Sequence, residues 1–337
     1  MSATYKIIIP MAGLGSRMRP QTWNRPKPLL YLAGKTVLDH ALDQFTTLPD
    51  LEKAEYVFIV SPNQGEMIQE HMQAVHPDKV VHFVVQEHMQ GQSHAISLAR
   101  EFLKGTVLVA FSDTLIETDL SFLSTEQADG VAWVKPMEDP RRFGVIETSL
   151  EGRATRLIEK PQDIKNNLVL VGFYYFQEGA LLLNAIEEQI IRGTSLKGEY
   201  FLADAINILL EQGKHFNVKQ TEVWLDAGIP ESLLETNRYL LDHGRCNCEP
   251  VDSQDGVTII SPVSIPKGVV LKSAVIGPHV TLGEGCILEN VVIRNSIIEA
   301  GTHIKDMVVE GSLIGRNVIL EGKPERLNIG DDSWVTR

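Results

Sequence analysis

The chain has 337 residues, with 31 basic against 44 acidic side chains and a net charge of −13, a balance that argues against nucleic acid or an anionic membrane surface as a partner. Its length suits two domains better than one core, and no apolar run reaches the ~20 residues of a transmembrane helix. The start, Met1 to Lys6, opens into a strand rather than a secretory signal, so the cytoplasm is the expected location.

The first element is the apolar run Ile7-Ile8-Ile9, which feeds into Pro10-Met11-Ala12-Gly13-Leu14-Gly15-Ser16-Arg17. Closely spaced glycines after a buried strand put free backbone N–H groups where open α/β sheets bind ligands. Arg17, Arg19 and Lys27 add fixed positive charge, which points to phosphate. A dinucleotide fingerprint would need a third glycine where Met18 stands, and a P-loop would need G-K-[ST], which is absent.

Further along, Glu55–Val60, Val80–Val85 and Thr106–Phe111 are near-continuous apolar runs, as strands buried on both faces should be. Segments 36–45, 65–75 and 92–103 carry apolar residues at helical spacing between them. The expected fold is therefore α/β, a doubly wound mixed sheet. Segments 131–134, 144–147, 156–159 and 168–176 follow without long helices and suggest an antiparallel lobe beside that sheet.

A helix is expected near residues 231–241, then a linker over 244–256 without apolar periodicity. Three cysteines, an odd number, argue against a disulfide scaffold, and Cys246-x-Cys248 lacks the other ligands of a zinc site and reads as two plain thiols. From 257 to 337 a repeat takes over. Ile265, Leu271, Ile276, Leu282, Leu288, Ile293, Ile298, Ile304, Val309, Ile314 and Leu320 recur five or six residues apart, a period too short for a helical repeat. The pattern looks like a hexapeptide-repeat left-handed parallel β-helix; a small antiparallel sandwich is the alternative.

Several motifs together resemble one family. They are Gly13-Leu14-Gly15-Ser16-Arg17, Arg19-Pro20, Thr22, Arg25-Pro26-Lys27-Pro28-Leu29-Leu30, Gln86 with Gly91, Asp113, Phe143-Gly144-Val145, Glu159-Lys160-Pro161, Gly172 with Tyr174, Gly198-Glu199 and Trp224-Leu225-Asp226-Ala227-Gly228. In this order they resemble the sugar-1-phosphate nucleotidyltransferases, over roughly the first 240 residues. The resemblance implies a catalytic domain over 1–243 that joins a nucleoside triphosphate to a sugar 1-phosphate, releasing pyrophosphate. It implies that Arg17 and Lys27 hold the triphosphate and Lys160 the sugar phosphate, and that Asp113 and Asp226 hold Mg2+. Ala12, Gly13, Gly15, Ser16, Gln86 and Gly91 fall on the nucleotide side by the same resemblance. Gly144, Glu159, Val171, Gly172 and Tyr174 fall on the sugar side.

Gln86, with Gly91, resembles the arrangement in thymidylyl- and uridylyltransferases, where an amide meets both a donor and an acceptor of a pyrimidine edge, so dTTP or UTP is expected, and Gly144, Glu159, Gly172 and Tyr174 resemble pocket positions of glucose-1-phosphate enzymes, so glucose 1-phosphate is expected beside it. Glu87 stands next to it, and an acid there is the guanine-type arrangement, so a GDP-mannose-type enzyme is an alternative. Two departures stand out. Ser112 precedes Asp113 where the family commonly has glycine, and Val171 stands where Asn or Thr usually bonds the sugar. His94 reads as structural. The β-helix implies a homo-oligomer. A bifunctional enzyme with an acyltransferase β-helix and a non-catalytic regulatory subunit share this architecture; the presence of Arg17, Lys27, Asp113, Lys160 and Asp226 weighs against the latter.

Overall fold

The computed structural model describes residues 4–246 and 256–323. Most of the expected linker, Cys248 and residues 324–337 lie outside the described residues. The chain divides into two compact units, one of residues 1–30 and 36–233, the other of Tyr31–Lys35 and residues from Leu234 onward.

The first unit is built on a nine-stranded mixed sheet. Strand Lys6–Pro10 lies at its centre, parallel to Glu55–Val60 on one side and Val107–Ala110 on the other. Alternation along these strands feeds two cores. Ile8, Val57 and Val109 face helices Gln92–Leu98, Gly179–Arg192 and Leu202–Glu211, while Ile7, Ile9, Tyr56 and Phe58 face helices Val37–Asp43 and Gly65–Val75. Helices therefore cover both faces, which is why these strands carry unbroken apolar runs. Val80–Val85 pairs only with Glu55–Val60 and forms the sheet edge, so it is half-buried rather than enclosed on both faces as expected.

The antiparallel segments are part of the same sheet, which corrects the expectation of a lobe packed beside it. Leu168–Phe176 bonds antiparallel to Val107–Ala110 through its last residues, to Gly130–Pro136 at both of its ends, and to Gly144–Thr148 at Val169. Ala154–Glu159 closes a hairpin on Gly144–Thr148. A nine-residue strand reaches across both regions, and that length was visible in the sequence while its pairing was not.

The second unit contains the β-helix. Every strand pair among Val257–Ile259, Val270–Ile276, Ile287–Arg294, His303–Glu310 and Ile319–Glu321 is parallel, as is every pair in the second sheet from Val263–Ser264 to Leu313–Ile314. This rules out the antiparallel sandwich. Leu271, Leu288, Ile304 and Leu320 stack in register, as do Ile276, Ile293 and Val309. The expected aliphatic anchors from Ile265 to Val309 are buried, and Ile314 and Leu320 are partly buried against them. The corners are made by residues with positive φ. Ser273, Asn290 and Asp306 turn one edge with φ near 50°, and Asn290 Nδ2 donates to Asp306 Oδ1 at 2.6 Å along it. Short polar side chains tolerate this conformation better than branched ones.

Asn237, in helix Pro230–Asp242, belongs to this second unit: its Oδ1 accepts from Ala33 N and Thr281 Oγ1. The compact boundary thus falls at 233–234, inside that helix, whereas the boundary read from the sequence follows the helix to its end. Cys286 is buried and free; Cys246 is disulfide-bonded, not the plain thiol expected.

Candidate active site

The carboxyl ends of three parallel strands meet at one edge of the sheet, each followed by residues singled out in the sequence. Pro10 leads into the glycine loop, Val85 into Gln86, and Ala110 into Phe111-Ser112-Asp113. A cavity of about 520 Å³ opens there. Ala12, Gly13, Gly15, Ser16, Arg17, Lys27, Gln86, Gly91 and Asp113 all line it. A second cavity, of about 300 Å³, is lined by Gly144, Glu159, Lys160, Val171, Gly172, Tyr174 and Asp226. Arg17, Gln92, Phe111 and Asp113 line both, so the two spaces adjoin. Arg19 lines neither. Its guanidinium lies 4.9 Å from the ring centre of Trp23.

The loop's shape follows from its residues. Gly15 has φ 61°, and its carbonyl accepts from Thr22 Oγ1 at 2.8 Å and from Met18 N at 2.8 Å. The loop then enters a short 3-10 turn that presents Arg17 to solvent and buries Met18. Lys27 opens a second 3-10 turn, with Pro26 before it and the buried Pro28 and Leu29 after it. Its ammonium forms an ion pair with Asp113 Oδ2. Burial works against ionisation of Asp113, but Lys27, with Arg17 beyond it, outweighs this and holds the carboxyl below its ordinary value.

Asp226 reaches the same edge through a strand pair that the sequence did not announce. Trp224–Asp226 runs antiparallel to Thr114–Ile116, with Asp226 opposite Thr114, and Ala227 N donates to Asp113 O at 3.1 Å. Two aspartates over a hundred residues apart thus occupy neighbouring positions. Asp226 Oδ1 accepts from Gly228 N at 2.9 Å and Oδ2 from Ser232 Oγ at 2.9 Å, which fixes the direction of the carboxylate. Two carboxylates lining one cavity fit the oxygen-rich donor set of Mg2+.

Gln86 is buried, and its Nε2 donates to His94 Nδ1 at 3.0 Å. His94 therefore orients Gln86, in keeping with the structural role expected of it. Gly91 has φ 96°, and a Cβ there would stand 2.5 Å from the backbone nitrogen of Tyr200. No other residue fits that crossing. Ser112 is not among the residues with positive φ, so serine serves in place of glycine without backbone strain.

In the second cavity, Glu159 is pushed up to about 7, first by burial and further by Asp204 and Glu199, with Lys160 pulling the other way. Lys160 stands at φ 48°, with Nζ 4.5 Å from the centre of the Phe201 ring. Tyr174 is buried, its hydroxyl raised by burial and by Glu159. Val171 is buried as well, and its carbonyl accepts from Thr114 Oγ1 at 2.8 Å. Sequence reading passed over Gln92, Phe111 and Arg142. Arg142 lines the second cavity, and its place two residues before Gly144 was the available signal.

A glycine loop, clustered cations and paired carboxylates at the carboxyl edge of a doubly wound sheet define a protein built to handle phosphorylated ligands. Comparison with known proteins narrows the class. The family model described as nucleotidyl transferase matches residues 6–243, and the chain belongs to that family. It is 32% identical, over 78% of its length, to the bifunctional protein GlmU of Methanococcus vannielii, and it spans 61% of that relative. It is 28% identical to a glucose-1-phosphate thymidylyltransferase of Streptomyces griseus, over 97% of this chain and 98% of that one. A solved Bacillus anthracis structure, provisionally assigned as a glucose-1-phosphate thymidylyltransferase, shares the fold with a TM-score of 0.61 at 20% identity, covering 70% of this chain and 95% of that one. Among the described residues, no helix is long and apolar enough to cross a membrane.

Proposed function

We propose that this protein condenses a nucleoside triphosphate, dTTP or UTP, with a sugar 1-phosphate, glucose 1-phosphate by preference, to give a nucleotide-sugar and pyrophosphate. One observation carries the reading: two cavities adjoin through Arg17 and Asp113, one lined by the glycine loop and Gln86, the other by Glu159, Lys160 and Tyr174. Two substrates seated in them would bring their phosphates together at the shared residues.

The chemistry asks the protein to position and neutralise rather than to form a covalent bond. An oxygen of the sugar phosphate attacks the α-phosphorus as the bond to the β-phosphate oxygen breaks, and pyrophosphate leaves with that electron pair. Lys160 and Arg142 supply positive charge on the incoming side, and Arg17 and Lys27 on the leaving side. Gly13 adjoins open space in the first cavity, so without a Cβ there the backbone N–H groups of residues 12–16 can approach a triphosphate closely. Mg2+ held by Asp113 and Asp226 would draw off charge from the phosphate oxygens. Gln86, whose Nε2 is engaged by His94 and by the Gly91 carbonyl, would offer its Oε1 to the N–H of a pyrimidine edge. Glu159, part protonated near pH 7, donates to a sugar oxygen in its neutral form.

A panel of five nucleoside triphosphates against several sugar 1-phosphates, with magnesium and with pyrophosphate release as the readout, tests the reading. Turnover with dTTP or UTP and glucose 1-phosphate supports it. Release with no pair removes the catalytic assignment, and release with GTP and mannose 1-phosphate moves the base contact from Gln86 to Glu87.

A further inference from the structure

Away from both cavities, three side chains tie helix Val37–Asp43 to helix Gly65–Val75. Asp39 closes a capping box at the start of the first helix, where its Oδ2 accepts from Thr36 N at 2.9 Å and Thr36 Oγ1 at 2.7 Å. Its other oxygen, Oδ1, points away from the cap. His71 Nε2 and His76 Nε2 each lie 2.8 Å from that one atom, and His71 Nε2 is also 3.4 Å from Thr36 Oγ1. The three ligand atoms lie within 4.8 Å of one another, and this is the one such group among the described residues.

Two imidazoles can share a carboxylate oxygen only if both carry a proton on Nε2. A bound ion relieves that demand. Ligands about 2.0–2.2 Å from a tetrahedral metal stand about 3.3–3.6 Å apart, so the two imidazole nitrogens, now at 2.8 Å from Asp39 Oδ1, need to draw back by about half an ångström to admit an ion. Two nitrogens and one oxygen disfavour Mg2+ and Ca2+, which take oxygen ligands, and suit Zn2+ and its first-row neighbours. The carboxylate is supported by Thr36, whose backbone N–H and hydroxyl both donate to Oδ2 and fix its direction. His76 caps the C-terminus of its helix, where the helix dipole favours a cation. The rings are 17% and 20% exposed, against 9% for Asp39, so the cluster is open on one side. Of the three residues, only His76 borders a cavity, one of about 260 Å³ lined also by Gln69, Gln73 and Lys79.

We propose that Asp39, His71 and His76 form a site for a divalent transition-metal ion, Zn2+ by ligand chemistry, which clamps the start of one helix to the end of the other. The site lies on the helices of one sheet face and stands whether or not the transferase reading holds.

The test uses the untagged full chain, stripped with chelator and dialysed against Zn2+ with excess Mg2+ present to fill oxygen-only positions. One zinc per chain is expected, with a higher melting temperature than the stripped protein. His71→Ala and His76→Ala should each weaken zinc binding at least tenfold and abolish the thermal shift. Asp39→Asn, whose amide oxygen still accepts at the cap, should weaken zinc binding too. Should the alanine variants not fold, the wild-type chain and Asp39→Asn decide the matter. Equal zinc binding by wild type and variants, or no zinc retained by the stripped and reloaded wild type, would overturn the site.

Discussion

Lys27 and Asp113 form the ion pair on which the candidate site is organised, and removing one partner exposes what it does. Their side chains are 11% and 29% exposed, between a surface pair worth about 0–1 kcal/mol and an enclosed one whose rupture costs about 3–5 kcal/mol. Lys27→Met keeps the aliphatic stem and leaves Asp113 with only the more distant Arg17, so a loss of about 2 kcal/mol in unfolding free energy is expected. Asp113→Asn should cost a similar amount, and the double variant little more than either, giving a coupling of about 1–2 kcal/mol in a double-mutant cycle by denaturant titration. The sign with pH is fixed by Asp113: its folded value lies below the ordinary 3.8, so the coupling is present above about pH 4 and disappears as pH falls through the folded value. Activity should fall further than stability. A missing cation at the triphosphate costs about 100-fold or more in turnover, close to 3 kcal/mol of transition-state stabilisation. Additive stabilities within about 0.5 kcal/mol, or near-wild-type pyrophosphate release by Lys27→Met, would refute the reasoning.

Asp226→Ala should abolish pyrophosphate release while circular dichroism stays unchanged, because the carboxylate is proposed to hold a metal ion; wild-type turnover would remove it from the site. Lys160→Ala should raise KM for the sugar phosphate more than for the nucleotide, and Arg17→Ala the reverse; equal effects on both constants would show that the cations are not divided between substrates. Glu159, raised from 4.5 to about 7, contributes stability that is fully present below about pH 4.5 and is lost as pH rises through about 7. Glu159→Gln should therefore gain on the wild type by a few kcal/mol across that window in thermal melts, and a parallel pH profile for the two proteins would remove the shift. In light scattering, the expected homo-oligomer should lose mass on Val308→Lys, since Val275, Val292 and Val308 align on the outer face of the coils; a wild-type mass of one chain would end that expectation.

The sequence alone determined the features that depend on local period and local chemistry. Strands 55–60 and 80–85, helix 65–75 and strand 168–176 fall where the apolar patterns placed them, because each period reflects one element's own faces. The aliphatic residues five or six apart marked the coils, since each turns on positive-φ corners that short polar residues provide nearby in the chain. The glycine loop could be read in the same way, from closely spaced glycines and neighbouring cations. The tertiary structure decided what depends on residues far apart. Nothing local announces that Trp224–Asp226 pairs with Thr114–Ile116, which sets Asp226 beside Asp113. The edge position of Val80–Val85 was equally hidden, because its apolar run looks like that of an enclosed strand until its neighbours are counted. The raised value of Glu159 and the convergence of His71 and His76 on one oxygen of Asp39 arise only when burial and charge are shared between elements, and pairing across the fold leaves no period in the chain.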